Sequence, residues 1–182
     1  MTVPVITTAR LDLVPVTLED AAFVQAEFPH WEIVEFMNAR VPWPYPADGA
    51  LVFLRDVLLP QIARGEACAW TIRLRDGGTP IGQINLRIGT DEHRGFWIAR
   101  AFQRCGYVTE AVAAVTDHYF EILGQPELRV SKAVQNTASR AVSRRQGMRL
   151  VATDERDYVS GRHPTETWAL TREEWRAARY RH

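Results

Sequence analysis

Apolar and polar residues alternate along three consecutive segments in the middle of the chain. These segments are Ala67 to Arg75, Ile81 to Gly89 and His93 to Ala99, and the turn DGGTP separates the first two. Alternation with period two and a glycine-rich connection is typical of antiparallel strands joined in hairpins. A further strand, the first of the chain, is predicted at Arg10 to Val16, where Pro15 is tolerated at an edge or at a strand end.

Helical spacing of apolar residues and cap residues mark most of the remaining chain. Helices are predicted over 18–28, 31–39, 51–65, 109–123 and 136–146 and from residue 171 onward, and three further strands over 127–134, 148–159 and 163–171. The three consecutive hairpin strands come before the segments in which strands and helices alternate. A doubly wound nucleotide-binding fold alternates strand and helix throughout, so it does not match this order. The order therefore predicts a mixed α/β domain.

The composition is that of an ordinary soluble globular protein. The chain has 182 residues, 46% of them hydrophobic, and 22 Lys and Arg balance 22 Asp and Glu. We therefore expect one domain over 1–182, with no general attraction to nucleic acid or to a membrane surface. Cys68 and Cys105 lack metal-ligand spacing, which predicts no metal site and favours a reducing cytoplasm.

One turn carries candidate chemistry, in the segment AFQRCGYVTEAV at residues 101–112. A helix that follows a strand through a short loop presents free backbone N–H groups, which bind phosphate. Gly106 permits a tight approach, Gln103 and Arg104 can add donors, and Thr109 supplies a hydroxyl. On the turn alone a plain loop is the favoured interpretation, and the segment contains neither a GxxxxGK[ST] nor a GxGxxG motif.

The wider sequence resembles the GCN5-related N-acetyltransferases (GNAT), in the branch named for the alanine acetyltransferases of bacterial ribosomal proteins. The resemblance rests on GFWIARAFQRCGYVTEAVAAVTDHYFEILG, on QNTASRAVSRRQGM and on TETWALTREEW, and extends from Arg10 to the region of Trp175. It implies a GNAT fold, with a central, mostly antiparallel, twisted sheet of about six to seven strands that is splayed at the cofactor site. It also implies an acetyl-CoA-dependent N-acetyltransferase.

The resemblance assigns the turn to the pyrophosphate of acetyl-CoA. Gln103 and Gly106 match the family pattern, Arg104 stands where this branch often has a second glycine, and Val108 stands where glycine or alanine is usual. The strand GFWIA would pair with the pantetheine arm. The implied cofactor-binding residues are Trp97, Ile98, Gln103, Arg104, Cys105, Gly106, Tyr107, Val108, Thr109, Asn136 and Arg145.

Three residues are candidates for proton transfer. His93 stands where relatives often carry a glutamate and could act as general base, with Glu92 beside it as substitute or orienting group. Ser139 of the family's Asn-x-x-Ser pattern would protonate the departing thiolate. The alternatives stay open at this stage: His93 as a surface residue of a polar turn, Asn136 as a helix cap and Ser139 as a surface serine.

The acceptor is expected at the first two helices and the proline-rich loop, with Trp31, Glu35, Trp43 and Tyr45 as candidate contacts, although packing explains aromatic residues there as well. A protein N-terminus and a small-molecule amine are both compatible with these residues. Transfer is expected by direct attack in a ternary complex. A non-catalytic acyl-CoA-binding sensor is the alternative, and a homodimer is possible.

Overall fold

Two antiparallel sheets carry the fold in the computed structural model, which describes residues 2–179. One sheet has the order β1-β2-β3-β4-β5 and the other the order β6-β8-β7. The strands are β1 (Ile6–Thr7), β2 (Leu11–Pro15), β3 (Ala67–Leu74), β4 (Pro80–Arg87), β5 (Arg94–Ile98), β6 (Glu127–Ala133), β7 (Arg149–Tyr158) and β8 (Gly161–Thr171). The mixed α/β arrangement predicted from the sequence is confirmed.

The helices occupy the connections between these strands. They are α1 (Ala21–Glu27), α2 (Trp31–Val34), α3 (Gly49–Phe53), α4 (Leu59–Ala63), α5 (Tyr107–Glu121), α6 (Thr137–Arg145) and α7 (Arg172–Arg179). A 3-10 turn at Leu18–Asp20 leads into α1, and a π-helical segment at Leu54–Leu58 joins α3 to α4. The predicted helix over 31–39 is too long, because regular structure ends at Val34.

The strand predicted at Arg10 to Val16 corresponds to β2 and differs from its prediction in one respect. β2 is not an edge strand, because the short β1 pairs with it through Ile6 with Leu13 and Thr7 with Asp12. Pro15 is the last residue of β2 and lies beyond the reach of β1, so its missing N–H leaves that pairing intact. The two-residue β1 has no period that a sequence pattern could reveal.

Three buried clusters pack the helices against the five-stranded sheet, and the two larger ones lie on opposite faces of it. Residues of α5, among them Val112, Val115 and Tyr119, pack with β3, β4, β6 and β8 in the larger cluster. Trp97 of β5 faces the other way and packs with residues of α1 and α2. Since successive residues of a strand face opposite sides, Phe96 and Ile98 face α5.

Candidate active site

A gap separates β5 from β6, the strands at the facing edges of the two sheets. Among residues 2–179, backbone hydrogen bonding between them is confined to their beginnings, where the His93 N–H, just before β5, donates to the Arg129 carbonyl of β6 at 2.9 Å. The helical crossover through α5 makes the two strands parallel. We call this opening the β5–β6 gap; it is closed at His93 and open at the carboxyl ends of both strands.

Backbone groups of β5 line the gap. On either side of β5, the Ala99 backbone N–H donates to the Ile81 carbonyl and the Arg87 backbone N–H donates to the His93 carbonyl. In this register the backbone groups of the odd-numbered residues hydrogen-bond to β4. Phe96 and Ile98, which alternate with them, direct their backbone N–H and C=O groups into the gap. An extended ligand can therefore pair with this strand as a neighbouring strand would.

The turn between β5 and α5 lies at the open end of the gap. Gly106 adopts φ 80°, in the left-handed region, and α5 begins at the next residue. The first intrahelical bond from this start is Glu110 N–H to the Gly106 carbonyl, at 3.2 Å. The amides of Tyr107, Val108 and Thr109 have no helical partner and form a cradle for an anion.

Other predicted residues of the turn are exposed around this cradle. Gln103 donates through Nε2 to the Ile98 carbonyl at 3.3 Å and so joins the turn to β5. Arg104 has φ 62°, a conformation that favours glycine. Cys105 is exposed, and Val108 packs part of its side chain against the larger core cluster.

Arg10, the first residue of the first predicted strand, holds the turn in place through its side chain. Its Nη1 donates to the Cys105 carbonyl at 3.1 Å, its Nε donates to Glu110 at 2.7 Å, and its guanidinium lies 4.5 Å from the Tyr107 ring centroid. Thr8 also donates to Glu110, at 2.6 Å. Ten residues of local sequence around Arg10 contain no signal for a partner 100 residues away.

The start of α6 lies beside the same open end, after β6. Asn136 caps the helix, since its Oδ1 accepts the Ser139 N–H at 3.1 Å, and the cap interpretation is confirmed. The side-chain N–H groups of Asn136 stay available to a ligand. Ser139 is only 8% exposed, so the interpretation as a surface serine is wrong. Arg145 is exposed, whereas Arg140 is held by Glu166 at 2.7 Å.

Glu92 and His93 lie at the closed end. Nδ1 of His93 accepts the Arg129 N–H at 2.8 Å, and Glu92 accepts the Ser131 N–H at 3.0 Å and Arg156 Nη1 at 2.6 Å. Burial lowers the pKa of His93 below 6.5. The ring is therefore neutral near pH 7, with its proton on Nε2, and the Nδ1 lone pair is engaged. A general-base role for His93 stays a prediction.

The candidate acceptor residues group on the α1 and α2 side of the sheet. Trp31 and Trp43 are each 43% exposed, with ring centroids 5.6 Å apart. Tyr45 is more buried and packs on Phe28, and its burial raises the pKa of its hydroxyl. The backbone carbonyl of Glu35 accepts the Ser160 hydroxyl at 2.6 Å, which joins this region to the β7–β8 turn.

Over residues 2–179, no cluster of three or more His, Cys, Asp or Glu side chains has the arrangement of a metal site. Within that same part of the chain, every helix is too short or too polar to cross a bilayer.

Comparisons with known proteins agree on one family. The model of the acetyltransferase (GNAT) domain matches residues 10–149. YdaF of Bacillus subtilis (strain 168), a protein assigned as a ribosomal N-acetyltransferase, is 31% identical over 130 residues, which cover 66% of this chain and 70% of that protein.

Solved structures share the fold at low sequence identity. The ribosomal L7/L12 alpha-N-protein acetyltransferase RimL in complex with coenzyme A is 17% identical with a TM-score of 0.79, covering 94% of this chain and 99% of that one. The ribosomal-protein-S5-alanine acetyltransferase from Vibrio fischeri is 13% identical with a TM-score of 0.78, covering 94% and 98%. The microcin C7 self-immunity acetyltransferase MccE, in complex with acetyl-CoA and AMP, is 16% identical with a TM-score of 0.74, covering 90% and 93%.

Proposed function

The chain belongs to the GNAT acetyltransferase family, and we propose that it transfers the acetyl group of acetyl-CoA to a primary amine by direct attack in a ternary complex. The observation that carries this proposal is the β5–β6 gap, closed at His93 and opening onto the free amides that follow Gly106. The names of YdaF, RimL and the S5-alanine enzyme make a protein N-terminus the first acceptor to test.

The pyrophosphate would bind at the turn. The amides of Tyr107, Val108 and Thr109 can donate to its oxygens, and Arg104 is exposed beside them. At Gly106 a Cβ would make only an ordinary contact with Arg10 Nη2, at 3.4 Å, so glycine is required by the left-handed backbone conformation and not by lack of space. The pantetheine arm would lie along Phe96 and Ile98, and Asn136 would donate to it from the other side.

The chemistry forms a C–N bond and breaks a C–S bond. The amine nitrogen attacks the thioester carbonyl carbon, and a backbone N–H of β5 in the gap stabilises the oxyanion. The thiolate then leaves and takes a proton, for which the nearly buried Ser139 is our candidate donor. The amine loses its proton through water toward the carboxylate of Glu92, which the hydrogen bonds at the closed end hold in place. His93 could accept the proton instead only by giving up the bond that its Nδ1 accepts from the Arg129 N–H.

The proposal is tested by binding and then by turnover. Acetyl-CoA and CoA should raise the melting temperature of the purified protein, whereas ATP and NAD should not. Release of free thiol from acetyl-CoA is then measured with N-terminal peptides, free amino acids, a polyamine and an aminoglycoside. Thiol release with an amine supports the transferase; binding without release from any amine would identify an acyl-CoA sensor, and stabilisation by ATP or NAD alone would exclude both.

Substitutions at two glycines test whether the turn at Gly106 binds the pyrophosphate. Gly106→Ala and Gly147→Ala both place a Cβ on a left-handed residue, with φ 80° and 73°, and each should lower stability by about 1 kcal/mol. Only Gly106→Ala should also weaken CoA binding, by tenfold or more, measured by calorimetry. Equal CoA affinities in the two variants would contradict the assignment of this turn to the pyrophosphate.

A further inference from the structure

Arg94 is a buried cation at the closed end of the β5–β6 gap. It is the first residue of β5, is 2% exposed and lies on the face turned toward α5. Its Nη1 donates to the Thr116 hydroxyl at 2.8 Å. Its Nε and Nη2 are buried without a hydrogen-bond partner among residues 2–179. Two of the donor groups of this guanidinium are therefore buried and unsatisfied, the state in which an anionic ligand would be most favourable.

The group that Arg94 does contact is neutral. The Thr116 hydroxyl donates to the Val112 carbonyl at 2.7 Å, so its oxygen accepts from Arg94 and from Gln146 Nε2, the latter at 2.9 Å. This arrangement orients the guanidinium and leaves its charge uncompensated. A buried charge without a partner of opposite sign is strongly unfavourable, which a ligand carrying an anion would relieve.

Lys132 reaches the same region from the other strand. Its ammonium lies 5.1 Å from the ring centroid of Phe96, across the gap on β5. The pKa of Lys132 is lowered to about 8, mainly by burial and to a smaller extent by the positive charge of Arg94. The negative charge of Glu92 opposes this shift. The lysine remains mostly protonated at neutral pH. The carboxylate of Glu92 is already engaged by Arg156 and the Ser131 N–H.

We propose that Arg94 and Lys132 bind the terminal carboxylate of an acidic acyl group, so that the site accepts a dicarboxylic acyl-CoA such as succinyl-CoA as well as acetyl-CoA, and binds it more tightly than a neutral acyl-CoA of the same length. This inference rests on the proposed function, because it places the thioester beside Phe96 and the acyl chain toward the closed end. Arg94 lies two residues before Phe96 on an extended strand, which separates their Cα atoms by about 6–7 Å. A four-carbon chain with a terminal carboxylate can span that distance, whereas an acetyl group cannot.

The group transfer is otherwise unchanged. The amine nitrogen forms an amide bond to the thioester carbon, the C–S bond breaks, the thiolate takes a proton and the amine gives one up. The distal carboxylate takes no part in bond formation. It stays ionised between the guanidinium and the ammonium, and the product is an amide with a free carboxylate.

The test compares succinyl-CoA with butyryl-CoA, which has the same number of acyl carbons and no carboxylate. Dissociation constants are measured by calorimetry, so no acceptor has to be known. The wild-type protein should bind succinyl-CoA at least about tenfold more tightly. Arg94→Met should abolish that preference and leave the affinity for butyryl-CoA unchanged, and Lys132→Met should reduce the preference. Arg55→Met removes an exposed arginine of the π-helical segment and should leave the preference intact.

Each outcome has a defined meaning. If the protein binds CoA and butyryl-CoA but shows no preference for succinyl-CoA, or keeps its preference in Arg94→Met, this inference is overturned and the acetyltransferase proposal stands. If no CoA compound binds, the proposed function fails first. If Arg94→Met does not fold, Arg94→Lys takes its place, since lysine retains the charge but cannot form two parallel hydrogen bonds to a carboxylate. Arg94→Lys should show a reduced preference for succinyl-CoA. If Arg94→Lys and Lys132→Met both kept the full preference, the inference would also be overturned.

Discussion

At the scale of single residues, Arg104 shows how a departure from the family pattern acquires a physical meaning. The resemblance indicated that glycine is frequent at this position, and the structure gives Arg104 φ 62°. For a residue with a Cβ, this conformation costs about 1–2 kcal/mol. The sequence identified the unusual residue, while only the backbone angle explains why glycine would suit the position.

Two substitutions of Arg104 distinguish the strain of its backbone conformation from the contribution of its charged side chain. Arg104→Gly should raise the free energy of unfolding relative to Arg104→Ala by about 1 kcal/mol, because both variants lose the guanidinium and only glycine relieves the strain. Urea unfolding measures this difference. Both variants should bind CoA equally weakly if the guanidinium contributes to phosphate binding; a variant pair of equal stability would mean that the left-handed angle carries no strain.

His93 provides a pH prediction with a definite sign. Burial lowers its pKa below 6.5, so the unfolded chain binds a proton more readily than the folded protein does. Stability should be unaffected above pH 6.5 and should fall as the pH drops toward the folded pKa, by at most about 1.4 kcal/mol per pH unit. His93→Gln, whose amide oxygen can accept the Arg129 N–H, should lose this component.

The measurement is the difference in unfolding free energy between wild type and His93→Gln from pH 7.5 to 5. His118, whose pKa burial also lowers, is present in both proteins and cancels. Parallel stability curves would show that His93 titrates alike in the folded and unfolded states. Thiol-release rates of the same pair bear on catalysis, since a general base would lose turnover in His93→Gln far beyond any change in stability.

At the scale of elements, the start of α5 is fixed from outside the helix. Glu110 accepts the Thr8 hydroxyl, the Arg10 backbone N–H and Arg10 Nε, and so ties the first turn of α5 to the segment between β1 and β2. The helix and its glycine were predictable from periodicity and composition. The brace was not, because its partners are about 100 residues apart and Arg10 resembles any polar residue at a strand start.

Glu110→Gln should therefore reduce both stability and cofactor affinity. The loss of charge-assisted bonds to a half-exposed arginine should cost about 1–2 kcal/mol, and the CoA dissociation constant should rise several-fold as the turn loosens. Glu121→Gln, at the other end of the same helix, removes an exposed pair with Arg179 and should cost less than about 0.5 kcal/mol. Similar effects in both variants would argue against the brace.

At the scale of the whole molecule, strand order and hydrophobic pattern predicted the fold class but not the division into two sheets. The patterns of HRGFWIA and ELRVSKAV are those of ordinary strands and do not indicate that the two diverge. The splay was implied only by the family resemblance. The contacts of Glu92 and His93 join the two strands at one end only. The free donor groups of Arg94 are likewise visible only in three dimensions, because their burial depends on α5 and α6.

Glu92 joins the two sheets through one carboxylate. One oxygen accepts Ser131 N–H of β6 at 3.0 Å, and the other accepts Arg156 Nη1 of β7 at 2.6 Å. If Glu92 acts by setting the width of the β5–β6 gap, Glu92→Gln should raise KM for acetyl-CoA several-fold with a smaller effect on kcat, and should cost about 1–2 kcal/mol of stability. A base would instead lose kcat by about 100-fold or more and alter the acidic limb of the pH profile. Glu155→Gln removes an exposed β7–β8 pair with Arg162 and should change neither parameter, so the split between KM and kcat decides whether the junction or proton removal is the role of Glu92.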